Sequence, residues 1–433
     1  MRLPHVLRAL KHRNYRIFMG GQAVSLTGTW MQQLALSWLI YRMTGSAFLL
    51  GAVGFIGQLP TFILAPIAGV MADRYDKRKI LLQVQTVAML HAFLLAALVL
   101  SGTIQVWHIM CLGMVLGLVN AFDMPVRQAY VVEMLGGKQD LSNAIALNSS
   151  IVNVTRIIGP ALAGVIVAKF GEGLCFLFNG ISFIAVLWSL RALDTVPPER
   201  KHATKKVLSE LREGLRYLTA TPPLLHIILL LGAISLFGMS FQVLLPVYVK
   251  EVLGTGPRTL GLLMGAMGAG SLVAAAGFAA QKSTANFMAL IPGAAAVFGT
   301  SLAAIAVAGS CHSALLIIPI TGMAMMTQIA ASNTTLQTIS QDHMRGRVMA
   351  FYSMSFLGLA PFGSLYAGTM AQKIGVKYTL LIGGLICLAA GRIFKNRINA
   401  LEKAGRLSPL PEKLPPGNKL AEYPPEDPQE PAL

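Results

Sequence analysis

A dense run of charge lies between two long apolar segments in the first quarter of the sequence. Six of the seven residues from Asp73 to Lys79 are ionisable, and the flanking stretches 46–72 and 80–101 carry no Lys, Arg, Asp or Glu. A charge at the middle of a lipid bilayer is costly, so such a run needs water or lipid headgroups around it. The pattern predicts two segments in lipid, with the charged run at the membrane surface.

The composition extends this prediction to the whole chain. Of 433 residues, 55% are hydrophobic and only 12% are charged, whereas soluble domains carry about 25% charged residues. The length would suit two or three soluble domains, but apolar stretches of about 20 residues recur and suit about twelve spans. Each span must be a helix, because lipid offers the backbone no hydrogen-bond partner. The predicted spans are 15–41, 46–72, 80–101, 106–125, 144–168, 172–191, 224–249, 259–281, 286–309, 313–335, 348–371 and 377–394.

The positive charge is distributed unevenly between the two sides of these spans. The net charge is +17, and 28 of the 35 Lys and Arg residues fall on the side that holds the N-terminus, against six on the opposite side. This bias predicts a multi-pass protein of the cell (inner or plasma) membrane with both termini in the cytoplasm. The charge is therefore expected to contact anionic lipid of the bilayer, and no nucleic-acid partner is expected.

The chain is predicted to consist of two six-helix halves, 1–191 and 223–404. The polar interval 192–222 separates them as a cytoplasmic linker, and within it the apolar residues from Val207 to Leu218 have the spacing of an amphipathic helix at the membrane surface. The tail 405–433 is rich in Pro and Glu and is predicted to be disordered.

A weak internal repeat supports this division. The stretch 164–171 resembles 368–375 at an offset of 204, and 69–74 resembles 277–282 at an offset of 208. Repeated halves are common in transporters. The expected fold is therefore an all-α integral membrane protein, with twelve transmembrane helices in two pseudo-symmetric halves.

Polar residues inside the spans are candidates for a substrate cavity. Gln22, Ser25, Thr29 and Gln32 follow one another at steps of three, four and three, so they form one stripe on the first span. The stripe either faces a central cavity or supplies hydrogen bonds between helices. The same candidate set contains Asn120, Asn148 and Gln242.

Arg156 is the only Lys or Arg that lies inside a predicted span and away from its ends. It must face a wet cavity or an acid, or else lie close enough to the cytoplasmic end to extend its charge into water. Gly159, Pro160 and Gly164 follow it. A proline favours a bend and glycines allow close helix contact, so these three residues form a candidate hinge.

Asp123 is the best acidic candidate for coupling transport to protons. None of the 18 acids lies near the middle of a span, and Asp123 lies near the cytoplasmic end of the fourth. A coupling carboxyl must change its environment during transport. A structural ion pair of Asp123 with Arg127 or with Arg156 is the alternative.

Four segments together are typical of one known family. They are the loop Gly69…Asp73-Arg74…Lys77-Arg78, the motifs 123–128 and 345–350, and the glycine-rich stretch 156–164. With these segments the chain resembles the major facilitator superfamily over roughly residues 10–400, and within it the drug and siderophore exporters, such as macrolide efflux and enterobactin export proteins. The resemblance implies that the residues of the first loop, Gly69, Asp73, Arg74, Lys77 and Arg78, form a conformational latch between the halves; a positive topology anchor is the alternative.

The expected function is secondary active export of amphipathic or apolar organic molecules by alternating access, with protons as the coupling ion. No cofactor, metal site or enzymatic activity is expected, because the spans contain no clustered acid, His or Cys residues, and the chain has no Gly-x-x-x-x-Gly-Lys-Ser/Thr motif for ATP. The alternatives are a dedicated siderophore or metabolite exporter, an importer of small solutes, a membrane enzyme and a nontransporting receptor.

Overall fold

The computed structural model describes residues 5–135, 140–193, 207–281 and 287–404, without the side chains at 5–7, 65–70, 72–74, 142, 207–211 and 279–280. Within these ranges all regular structure is helical. Thirteen long or medium helices follow a short 3₁₀ turn, His5–Lys11. They are α1 (Arg13–Thr44), α2 (Ala47–Arg74), α3 (Lys77–Leu100), α4 (Val106–Met134), α5 (Leu141–Phe170), α6 (Gly173–Arg191), α7 (Val207–Ala220), α8 (Pro222–Val252), α9 (Pro257–Ala280), α10 (Phe287–Val307), α11 (Cys311–Ile339), α12 (Arg345–Ile374) and α13 (Val376–Lys403).

Twelve of these helices cross the bundle. Eleven are long and apolar enough to span a membrane among the described residues. The twelfth, α1, falls below that limit of apolarity because of its Gln and Ser residues, yet it reaches both ends of the bundle. Near its start, the Tyr15 hydroxyl donates to the Ala144 carbonyl at the beginning of α5 (2.7 Å), and near its end Arg42 pairs with Glu172 between α5 and α6 (2.7 Å). The twelve-helix prediction is therefore confirmed.

Successive helices among the twelve run in opposite directions. We call the end where α1, α3 and α5 begin the termini face, and the other end the opposite face. Capping residues fix several connections. The side chain of Ser46 accepts from Leu49 N at the start of α2 (3.2 Å), and that of Asp76 accepts from Lys79 N at the start of α3 (3.2 Å). Gly45 ends α1 with a φ of 60°, a conformation that glycine adopts without strain.

The two halves, α1–α6 and α8–α13, meet mainly along two helix pairs. Helix α2 packs against α12, and α5 packs against α9. By the offsets of the internal repeat, α2 is the equivalent of α9, and α5 is the equivalent of α12. Therefore α2 contacts the equivalent of α5, and α5 contacts the equivalent of α2. This exchange is the arrangement that pseudo-twofold symmetry requires.

The amphipathic helix predicted from Val207 to Leu218 is present as α7 and packs on the beginning of α12. Glu213 pairs with Arg347 (2.7 Å), and Gly214 lies against Phe351. The tail 405–433 and residues 194–206 of the linker lie outside the described residues, so the predicted disorder of the tail and the linker boundaries remain predictions.

Two helices of the second half contain π turns. They lie at Ile234–Met239 and Tyr248–Val252 in α8 and at Met354–Gly358 in α12. The Ser235 hydroxyl donates to the Phe356 carbonyl (2.6 Å), so it joins the turn in α8 to the turn in α12. Such turns leave carbonyls without helical partners and are frequent at functional sites.

Candidate functional site

The contact between α2 and α12 depends on glycine. A Cβ built on Gly51 would lie 2.9 Å from the Cα of Gly368 and even closer to the Ser364 carbonyl. These distances leave no room for a side chain, so the two backbones touch directly. Further along α2, the ring centroids of Phe55 and Phe362 are 5.6 Å apart in an edge-to-face arrangement. The contact therefore runs from the opposite face to the middle of α2.

The contact between α5 and α9 has the same character. A Cβ on Gly164 would lie 2.8 Å from the Pro257 carbonyl oxygen and 3.0 Å from the Cα of Gly261. Gly164 and Gly368 are equivalent in the internal repeat, and each lies at the close approach of its helix pair. The close helix contact predicted for Gly164 is therefore present.

Polar side chains join the halves at the opposite face. The Ser46 hydroxyl donates to Gln372 Oε1 (3.0 Å), and the Tyr41 hydroxyl donates to the Glu251 carboxylate. Neither Glu251 nor Gln372 is among the residues that the sequence singled out. The sequence did contain a signal for Glu251, because this acid lies two residues after the end of the seventh predicted span.

The predicted latch is described only in part. The side chains of Gly69, Asp73 and Arg74 lie outside the described residues, so their pairing across the halves remains a prediction. Lys77 pairs with Glu133 at the end of α4 (2.7 Å). Arg78 donates to the carbonyls of Leu190 and Arg191 at the end of α6 (2.8 and 2.7 Å). These two cations therefore join helices within the first half, where a helix C-terminus favours positive charge.

Asp123 is buried, at 8% exposure, and has two partners in the first half. Arg127 pairs with Oδ2 (3.0 Å), and the Gln85 amide donates to Oδ1 (2.6 Å). Of the two ion pairs that the sequence left open, the structure contains the one with Arg127. Gln85 was missed, although an amide within the third predicted span was a visible signal.

Three of the four residues in the polar stripe of α1 are buried, and the fourth is exposed. Ser25 and Gln32 are buried, and Gln32 Oε1 accepts from Asn179 Nδ2 of α6 (2.8 Å). Gln32 thus supplies a hydrogen bond between helices, which is one of the two roles left open. Thr29 is exposed and shares a helix face with Gln22, at a spacing of seven. Gln22 is buried, and its Oε1 has no hydrogen-bond partner among the described residues. Cargo contact by the stripe remains a prediction.

Arg156 contacts an aromatic ring. Its guanidinium carbon lies 4.8 Å from the centroid of Trp30 in α1, which is within the range of a cation–π contact. No carboxylate of the described residues forms an ion pair with it, and its Nε has no hydrogen-bond partner. Trp30 was not singled out from the sequence, because nothing local to it indicates that α5 passes beside it.

The candidate hinge residues lie along the same helix. Gly159 faces α1, where a Cβ would be 2.6 Å from the Trp30 Cβ, and the Pro160 carbonyl meets Gly261 of α9. Helix α5 continues through Pro160 to Phe170. Bending at these residues during transport remains a prediction.

The other candidate cavity residues lie on separate helices. Asn120 of α4 is exposed, and Asn148 of α5 is half-buried. Gln242 of α8 is half-buried too, and its amide donates to the Met325 sulfur (3.4 Å). No group of three or more His, Cys, Asp or Glu side chains that could hold a metal occurs in the described part of the chain.

Comparison with known proteins identifies relatives over most of the chain. A family profile described as transmembrane secretion effector matches residues 6–415. The staphyloferrin A transporter of Staphylococcus aureus (strain NCTC 8325 / PS 47) is 27% identical over 389 residues, which are 88% of this chain and 96% of that protein. The multidrug efflux pump Tap of Mycolicibacterium fortuitum is 26% identical, over 86% of this chain and 93% of that protein. Macrolide efflux protein A of Streptococcus pyogenes is 23% identical, over 90% of this chain and 99% of that protein.

Solved structures share the fold. A crystal structure of a mutant of the peptide transporter POT superposes with a TM-score of 0.70, covering 90% of this chain and 95% of that one at 13% identity. A crystal structure of the nucleoside transporter NupG has a TM-score of 0.67 at 12% identity, over 90% of this chain and 99% of that one. At these identities the likeness concerns the fold alone.

Proposed function

This chain belongs to the major facilitator superfamily, in its transmembrane secretion effector family, and we propose that it exports amphipathic or apolar organic molecules by alternating access. It is a multi-pass transporter of the plasma membrane and not an enzyme. The relatives that are named as efflux pumps support the outward direction.

The two glycine contacts between the halves carry the proposal. At Gly51 with Gly368, and at Gly164 with Gly261, the two backbones touch with no side chain between them. Small-residue contacts let helices approach closely, and two equivalent contacts provide two surfaces on which one half can tilt against the other. The contacts lie between the opposite face and mid-depth, so the conformation is closed at the opposite face.

The orientation follows the charge bias. We place both termini and α7 in the cytoplasm, because an excess of Lys and Arg marks that side. The conformation closed at the opposite face then receives cargo from the cytoplasm. In the outward-facing state, Asp73 and Arg74 would pair across the halves as the superfamily latch does.

Proton antiport is the proposed source of energy, with Asp123 as the coupling carboxyl. The carboxylate of Asp123 accepts from Arg127 of the same helix and from the Gln85 amide of α3, so it joins α4 to α3. Protonation removes the charge that holds Arg127, so binding a proton frees the end of α4 to change its packing. Asp123 is thereby linked to the movement of the first half.

Export of a siderophore is the second candidate function. The relative from Staphylococcus aureus, named as a staphyloferrin A transporter, covers the chain as fully as the drug pumps do. A strain lacking the gene distinguishes the two functions. Greater sensitivity to a panel of amphipathic drugs supports multidrug efflux, whereas retention of one iron-chelating metabolite in the cells supports siderophore export.

A reversible crosslink tests alternating access. Ser46 and Gln372 are replaced by cysteine in a chain without the four native cysteines, because their side chains touch across the halves. Oxidation should stop counterflow of the exported compound in proteoliposomes, and a reductant should restore it. Each single cysteine variant serves as control. Unchanged flux in the fully crosslinked protein would refute the proposal.

A further inference from the structure

The structure places at the middle depth of the bundle a cation that forms no ion pair with any described residue. Arg156 lies 15 residues after Leu141 and 14 before Phe170 in α5, so at 1.5 Å per residue each helix end is about 20 Å away. One arginine side chain cannot cover that distance to reach water beyond the membrane. The possibility that it extends its charge past the cytoplasmic end is therefore removed.

The residues around Arg156 support its side chain, but none of its contacts within the described residues supplies a negative charge. Gly159, one turn further along α5, leaves room for Trp30 to lie against the helix, and the ring of Trp30 covers one side of the guanidinium. On α9, Gly268 packs against the backbone at Arg156, where a Cβ would lie 3.3 Å from its carbonyl oxygen. The backbone of Arg156 thus lies at the boundary between the two halves, and its guanidinium lies beside Trp30 of α1.

The described carboxylates of the first half have other partners. In the first half, Asp123 bonds to Arg127, Glu133 to Lys77 and Glu172 to Arg42. A guanidinium has five donors, and at this depth only water or an anion can use those that the protein leaves free. A planar carboxylate fits that fork with two parallel hydrogen bonds.

From this geometry we infer that Arg156, held by Trp30, binds the carboxylate of an amphipathic organic anion that the protein carries. The inference rests on the proposed transport function and specifies the chemical class of its cargo. The apolar part of the cargo lies against the surrounding apolar side chains, while its carboxylate accepts from Arg156. A neutral analogue of the same shape leaves the donors of Arg156 unused and binds more weakly.

The test compares two ligands that differ only in charge. The purified full-length protein, in nanodiscs of phosphatidylcholine, is titrated calorimetrically with 4-phenylbutyrate and with 4-phenylbutanamide. A charge-assisted hydrogen bond predicts a preference of about tenfold or more for the carboxylate. Arg156→Gln should abolish the preference, whereas Lys169→Gln, which removes an exposed cation from the same helix, should preserve it.

A thermal unfolding measurement shows whether Arg156→Gln folds. If it does not fold, two further variants test the inference. Arg156→Lys keeps the charge without the fork and should retain a smaller preference. Trp30→Leu should also lower it, because the guanidinium loses its support. Equal binding of the two ligands by the unmodified protein, or a preference that survives in Arg156→Gln, would overturn the inference.

Two additions separate the organic anion from other sources of negative charge. Equimolar chloride should leave the preference intact, and so should replacing a third of the phosphatidylcholine by phosphatidylglycerol. If either abolishes it, the site takes an inorganic anion or a lipid headgroup, and the assignment to cargo is wrong.

Transport in proteoliposomes distinguishes a failure of the site from a failure of the function. If the unmodified protein binds the carboxylate but moves neither compound, the transport proposal fails and the binding site stands. If Arg156→Gln carries 4-phenylbutyrate as fast as the unmodified protein does, the site fails and transport stands.

Discussion

A single methyl group at Gly164 should shift the balance between the two transport conformations. In Gly164→Ala the new Cβ would lie 2.8 Å from the Pro257 carbonyl oxygen and 3.0 Å from the Cα of Gly261. Both neighbours are backbone atoms, so no side chain can rotate to make room. Helix α9 must move away from α5, and the second half moves with it at the opposite face.

The size of the effect follows from the missing space. Ordinary contact needs about 3.5 Å, so the helices must separate by roughly half an ångström. Insertion of one methyl group into a tightly packed contact costs about 1–3 kcal/mol. The cost applies only to the conformation closed at the opposite face, so the population should shift by about 5- to 150-fold towards the other conformation.

Distances between spin labels measure this shift. One pair joins Thr103 to His312 across the halves at the opposite face, and a second joins Lys79 to His343 at the termini face; all four residues are exposed. Gly164→Ala should lengthen the first distance and shorten the second.

Gly293→Ala provides the matched control. Gly293 also lies inside a helix, so its substitution gives the same gain in helix propensity, about 1 kcal/mol. A Cβ at that position meets nothing within 4 Å. Our reasoning is refuted if Gly164→Ala folds and keeps both distance distributions of the unmodified protein, or if the control shifts them equally.

Three further results are expected. Asp123→Asn should transport at a rate that no longer depends on an imposed pH gradient, and a pH-jump assay in proteoliposomes with unchanged proton dependence would exclude Asp123 as the coupling group. Asp73→Asn should lower transport while surface labelling shows normal membrane insertion, and normal efflux by this variant would contradict the latch. The His12 hydrogen bond and the Arg8 charge lower the pKa of Asp140 from its usual value, so the contact of the N-terminal segment with α5 is stabilised above about pH 4 and weakens as the pH falls below that. The protection factors of the amides at residues 8–12, which are exchange rates corrected for the intrinsic effect of pH, should therefore be alike at pH 7 and 5 and smaller below pH 4. Smaller protection factors already at pH 5 would disagree with this assignment.

Single residues show why some site contacts were predictable and others were not. Gly164 could be selected from the sequence, because a glycine inside an apolar span permits close helix contact. Arg156 could be selected too, as a cation inside a span. Its partner could not, because Trp30 is 126 positions earlier in the chain and becomes a neighbour only when α1 and α5 pack together. The same holds for Tyr41 and Glu251. They lie in different halves, and the sequence does not indicate which helices of the two halves meet.

Hydropathy and the positions of charge determined that this chain crosses a membrane twelve times in two related halves, because lipid imposes helices on long apolar segments and expels charge from them. The family followed from short motifs that lie within single loops and helices. Only the tertiary structure decided that Asp123 pairs with Arg127 and that Gln32 bonds to α6. It also decided that Arg156 has an aromatic neighbour and, in the part of the chain that is described, no ion pair with an acid. These contacts depend on the rotation of each helix and on its distance from its neighbours. Packing between segments that are distant in the sequence determines both, and no local pattern of residues does.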